Sequence, residues 1–203
     1  MKTWLELLEK SKIEDIPLIL HEKLKFSYRN KDIKSAHTIL ESPWKNHIDL
    51  SIEKSSVFEF VCLLKDPNLI ELQYFIKWAE AHHQLKNINV DAISNNLLVA
   101  IHYNNINLVK YLTQEIFLPK IDFSYSNYAI VKQCFPNNTS IIKENIFKYF
   151  ITDCGLEKDK FIDGFLKKQK KDYIIGWFDK RDFYKSLENN ISNTKSNLRV
   201  NKL

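Results

Sequence analysis

Glycine, proline, cysteine, methionine and arginine are all scarce in this chain. Its 203 residues hold three Gly, five Pro, three Cys and one Met, and only Arg29, Arg181 and Arg199 among 30 cations are arginine. Few Gly and Pro leave little material for tight β-hairpins or for loops that cradle phosphate. Neither G-x-x-x-x-G-K-[ST] nor G-x-G-x-x-G occurs, which removes the nucleotide-binding loops. Cys62, Cys134 and Cys154 are odd in number and widely spaced, so they read as small hydrophobes in a reducing compartment. Few Arg means few planar forks for phosphate or guanine. No run approaches the ~20 apolar residues of a membrane span, and Glu6, Glu9 and Lys10 interrupt the N-terminus too early for a signal peptide.

What remains is ordinary globular material, 44% hydrophobic and 27% charged. The net charge of +5 is uneven. Residues 1–100 carry 13 Lys/Arg against 14 Asp/Glu, and residues 101–203 carry 17 against 11. Usage rich in Lys, Ile and Asn accords with an A/T-rich genome.

Hydrophobic spacing is helical throughout, and no alternating stretch lasts long enough to read as a strand. Trp4, Leu5, Leu7 and Leu8 define one helix over 3–11, with Thr3 as its cap. Residues 14–27 define a second, with Pro17 in its first turn. Then similar segments recur. LQYFI at 72–76, VKYLT at 109–113 and FKYFI at 147–151 start 37 and 38 residues apart. AHTIL at 36–40 is a fainter upstream copy, and FYKSL at 183–187 a candidate downstream one. Asp66-Pro67 and Thr139 or Ser140 are placed to cap the longer helices of their units. A period in the thirties is the signature of a helical solenoid, in which each unit buries its apolar face only against its neighbours.

One unit carries a family likeness. LLVAIHYNNINLVKYL at 97–112 resembles the ankyrin-repeat core: Leu97 stands at its first Leu, Ala100 at its small residue, and Asn104-Asn105 at its Gly-His turn. Leu108, Val109, Lys110 and Leu112 stand at its I-V-K-x-L. Asn87–Asp91 resembles the extended finger between units. No unit has the T-P-L-H tetrapeptide, and the period exceeds the family's ~33 residues. The resemblance implies an all-α, helical-hairpin solenoid of about four to five ankyrin-like units (31–187), with an N-terminal helical cap (1–30) and a disordered polar tail (188–203).

Arrays of this kind bind partner proteins without catalytic, metal or cofactor sites. On that pattern the contact surface comprises Asp91, Ser94 and Asn95 in one finger and Tyr125, Ser126 and Asn127 in the next. His102 and Tyr103 follow on the exposed side of one first helix, and Lys132 on its successor. The implied partner is a protein, as for a bacterial effector or regulator acting in the cytoplasm, or in a host's cytoplasm if translocated. Two other readings stay open. Lys158–Lys171, with six Lys among Phe161, Ile162, Phe165 and Leu166, fits a basic amphipathic helix at an anionic membrane or a nucleic acid; its alternative is a terminal helix with a solvated Lys face. An enzyme would need a site converging from distant units. His82-His83 reads as a solvated helix end, since adjacent helical residues point ~100° apart, and His21-Glu22 has no catalytic spacing.

Overall fold

The computed structural model describes residues 4–64, 69–114, 123–135 and 143–200, apart from the side chains of 4, 5, 7, 125–127 and 189–200. Among the described residues every regular element is helical, so the all-α class holds. The α-helices are α1 (Trp4–Lys10), α2 (Ile16–Arg29), α3 (Ile33–Leu40), α4 (Ser56–Cys62), α5 (Ile70–Ala81) and α6 (Val90–His102). They continue with α7 (Ile106–Leu112), α8 (Tyr125–Gln133), α9 (Glu144–Thr152), α10 (Lys160–Lys168) and α11 (Asp172–Val200). The chain divides into two compact units, residues 1–133 and 134–203, a division inside the range read above as one array.

In the first unit the helices pair as α2 with α3, α4 with α5 and α6 with α7, while α2, α4, α6 and α8 pack in succession. Local chemistry sets the hairpins. α2 and α6 both end in a residue held left-handed, Lys31 at φ 59° and Asn104 at φ 54°. The next amide then donates back into the helix, Asp32 to the Ser27 carbonyl at 2.9 Å and Asn105 to the Ala100 carbonyl at 2.8 Å. Those same residues cap the following helix: Asp32 Oδ1 accepts from the Ser35 amide and Asn105 Oδ1 from the Leu108 amide, both at 3.1 Å. Asn104 thus holds a left-handed conformation that glycine adopts most readily. α2 enters a hairpin with α3 just as α6 does with α7. Pro17 lies in its first turn, as expected.

The recurring pentapeptides bury the same positions. In 36–40, 72–76, 109–113 and 147–151 the first, fourth and fifth residues are buried, and the central Thr or Tyr is not. FYKSL at 183–187 departs, being exposed throughout. The reason is that α11 has already left its core by that point. The linking segments repeat as well: Lys45–His47 and Leu85–Asn87 are single 3-10 turns, each followed by an extended, buried Ile, Ile48 or Ile88. The proposed caps Thr3, Asp66-Pro67, Thr139 and Ser140 lie outside the described residues.

The second unit is built on aromatics. Phe147 packs edge-on against Phe135 (4.9 Å between ring centres) and Phe178 (6.3 Å), and Phe165 against Phe135 (5.5 Å). Gly155, at φ 71°, follows α9 in the left-handed conformation. The Arg181 guanidinium is buried, donates to the Leu156 carbonyl at 2.6 Å and lies over the Phe178 ring. A buried guanidinium is retained where its donors are met, here by the Ile151 and Leu156 carbonyls and by Asp182 Oδ1 at 2.7 Å. α11 runs on to Val200, across most of the segment whose polar composition predicts disorder.

Candidate interaction surface

α6 presents most of the residues picked out in the sequence. Asn89 caps it, its Oδ1 accepting from the Asp91 amide at 2.7 Å. Ala92, Ile93, Asn96, Leu97, Ala100 and Ile101 form its buried stripe, where Asn96 spends its amide on the Ala92 carbonyl at 2.8 Å. Ser94 belongs with that interior. It is 0% exposed, so its place in a contact surface is corrected: at this helical phase the residue turns inward beside Ile93 and Leu97. Asn95, the next residue round, is exposed.

His102 and Tyr103 close α6, and the left-handed Asn104 fixes their position. Tyr103 is 75% exposed and meets the His102 ring edge-on, 5.0 Å between centres. Gln133 Nε2 lies 3.2 Å from His102 Nδ1, which brings the C-terminal end of α8 beside that of α6. Lys132, half-buried, precedes Gln133. The structure therefore groups His102, Tyr103 and Lys132 at one end. Asp91 sits at the other end of α6, about 16 Å away at 1.5 Å per residue. The finger residue and the residues at the helix end are thus separate. The side chains of Tyr125, Ser126 and Asn127 lie outside the described set, though Tyr125 opens α8.

Two polar clusters were not legible as constellations. In one, Glu71 is buried at the start of α5. Tyr28 O–H donates to it at 3.1 Å, and His37 Nε2 lies 3.0 Å from both carboxylate oxygens. The His37 ring stacks on Tyr74 at 4.1 Å, and Tyr74 O–H donates to Glu41 at 2.5 Å. Burial, then the Glu71 charge, push the Tyr28 phenol far above its ordinary range. The only sequence signal was separation: 34 residues from His37 to Glu71 and 33 from Glu41 to Tyr74.

In the other, the buried His21 has Nε2 3.1 Å from Ser56 Oγ and 3.6 Å from Glu53. Ser56 donates to Glu53 at 3.2 Å. The cluster resembles a nucleophile, base and orienter, but the wiring differs. A serine triad needs the carboxylate at Nδ1, opposite the nucleophile. Here Ser56 and Glu53 share the Nε2 side, while Nδ1 is buried with no partner among the described residues. With the Ser56 hydroxyl donating to Glu53, Nε2–H donates to Ser56 Oγ and the imidazole is not its base. Burial holds the His21 pKa below the ordinary value, with Glu53 opposing. His21, Glu22 and Glu53 also have the proximity of metal ligands. The Lys25 ammonium occupies that cation position, 2.6 Å from Glu22 and 2.8 Å from Glu53.

His82 and His83 sit at the end of α5. His82 stacks on Trp78 with Nδ1 2.8 Å from the Trp78 carbonyl, and His83 is the left-handed capping residue. In the Lys-rich stretch, α10 buries Ile162 and Leu166, Lys167 pairs with Asp163 and Lys158 with Asp179. Tyr173 O–H also bonds Glu144. No helix among the described residues is long and apolar enough to cross a membrane. Comparison of the chain with known proteins finds no matching family model, curated protein or solved structure.

Proposed function

We propose that the chain is a protein-interaction module whose first unit is an ankyrin-like array, with a partner protein docking at the C-terminal ends of α6 and α8. The observation that carries this reading is Tyr103: a large aromatic, 75% exposed, fixed by a capped turn beside His102. Aromatics held rigid at a surface supply contact area at low entropic cost and are enriched in protein interfaces. The succession of α2, α4, α6 and α8, together with polar ties about one repeat apart, supports the array. Asn95 adds an exposed amide on the same helix. Asp91 contributes only to an interface long enough to reach the opposite end of α6.

Affinity capture with the Tyr103→Ala variant tests the reading. It predicts loss of a partner retained by the wild type, with an unchanged unfolding midpoint. Undiminished capture by the folded variant contradicts it.

A further inference from the structure

From 172 to 188 α11 carries two distinct faces. Ile174, Phe178 and Arg181 form its buried stripe, at i, i+4 and i+7. Away from that stripe Tyr173 (50%), Phe183 (59%), Tyr184 (53%) and Leu187 (40%) are exposed, and Trp177 is half-buried. At about 100° per residue these five fall within one arc of about 120°, shared only with Gly176 and Lys180. Asp172, Asp179, Asp182 and Glu188 all fall outside the arc. The result is an aromatic strip about 21 Å long at 1.5 Å per residue, with no acidic residue in it. At its N-terminal end the Tyr173 hydroxyl is tied to Glu144.

The charge beside the strip is one-sided. Lys168, Lys170, Lys171, Lys180 and Lys185 have no ion-pair partner among the described residues, and all but Lys171 are exposed. Lys158, Lys167 and Arg181, by contrast, are matched by Asp179, Asp163 and Asp182. With Asp179 and Asp182 so used, Asp172 is the one described carboxylate left over between 168 and 187. Lys171 Nζ lies 6.0 Å from the centre of the Tyr173 ring, and Lys180 Nζ 5.9 Å from that of Tyr184. α10 spends its own apolar residues Ile162 and Leu166 on the interior. The free amphipathic face of this Lys-rich region therefore belongs to α11.

Rings and lysines together select the occupant. A nucleic acid would take up the lysines and leave Phe183 and Leu187 in water. A protein groove would cover the rings, but lysine is depleted at such interfaces and would not border the rings unpaired. An anionic bilayer meets both demands. Trp and Tyr settle at headgroup level, Phe and Leu reach the acyl boundary, and Lys extends to headgroup phosphate or carboxylate.

We infer that the face of α11 formed by Tyr173, Trp177, Lys180, Phe183, Tyr184 and Leu187 lies on an anionic lipid surface, with the helix parallel to the membrane plane. This face uses no residue of the docking end proposed for α6 and α8.

The test is sedimentation of the full chain with two kinds of vesicle, phosphatidylcholine alone and equimolar phosphatidylcholine and phosphatidylserine. Quenching of tryptophan fluorescence by brominated acyl chains is read beside it. The expected result is binding to the anionic vesicles and little to the neutral ones, with quenching that Trp177→Phe removes. Lys171→Gln with Lys180→Gln lowers the partition coefficient about thirtyfold. Phe183→Gln with Leu187→Gln lowers it about tenfold or more. None of these four side chains is buried, so the unfolding midpoint of each double variant stays at the wild-type value. Equal binding to neutral vesicles, no binding to anionic ones, binding that either pair leaves unmoved, or quenching that survives Trp177→Phe overturns the inference. Binding to a single-stranded RNA that both pairs weaken, without binding to vesicles, assigns the face to nucleic acid and overturns it equally.

Discussion

His37 Nε2 lies 3.0 Å from both carboxylate oxygens of Glu71, 34 residues further along the chain. Similar separations tie other parts of the first unit: Leu50 N–H donates to Gln84 over 34 residues, Asn89 N–H to Ser55 Oγ over 34, and Trp78 Nε1–H to the Leu40 carbonyl over 38. Each bond joins one helical hairpin, or the segment leading into it, to the next. They are the polar counterpart of the repeated burial pattern. Glu71 is the most demanding of these groups because it is buried and accepts from Tyr28 as well.

Glu71→Ala therefore strands a buried phenol. A donor left unsatisfied in the interior costs about 1–3 kcal/mol. The expected outcome in denaturant unfolding is a loss of that size, with Tyr28→Phe costing less because the carboxylate keeps His37. If Glu71→Ala leaves the midpoint unmoved, this network does not join the hairpins.

Lys31 and Lys170 occupy left-handed backbone at helix ends, at φ 59° and 55°. Residues with a Cβ carry about 1–2 kcal/mol of strain there, which Gly lacks. Lys31→Gly is expected to raise stability by about 1 kcal/mol, and Asn104→Gly by less, since Asn tolerates this region better. Equilibrium unfolding measures both. A destabilising Lys31→Gly contradicts the assigned turn.

His21 supplies a pH dependence with a defined sign. Its folded-state pKa is lowered by burial, so above the ordinary value near 6.5 the imidazole is neutral in both folded and unfolded chains. Below that value the unfolded chain takes up the proton first, and stability falls as pH drops. The lowered carboxyl pKa values of Glu53 and Asp32 act at more acidic pH. The unfolding midpoint should decline from about pH 6.5 toward pH 5, and His21→Gln should flatten that decline. An unchanged slope in His21→Gln assigns it to another group.

Much of the helical architecture was readable because it is written locally. Asn104-Asn105 stood where a turn needs a left-handed residue and a cap, and the structure uses each for that. The copies at 36–40, 72–76, 109–113 and 147–151 were visible because the same faces are buried. Ser94 was misplaced because helical phase, rather than polarity, decides which residues turn inward, and neighbouring Asn95 shows how little separates the two outcomes. The fifth copy, FYKSL, has the right letters on a helix that has run out of core. Glu71 and His21 were illegible as site members because their partners are about one repeat distant, and spacing alone names no chemistry. The helix over the end of α11 escaped the reading because its composition, rich in Asn, Ser and Thr, favours disorder.

The proposed docking end of α6 is open to one direct measurement. A photo-crosslinking benzophenone amino acid is installed at position 103, and in a separate protein at the exposed Asn46 on another part of the same unit. Both are irradiated with the partner isolated by affinity capture. The account predicts a covalent adduct to the partner from position 103 and none, or far less, from position 46. Equal yields from the two sites, or an adduct from position 46 alone, would contradict docking at the ends of α6 and α8.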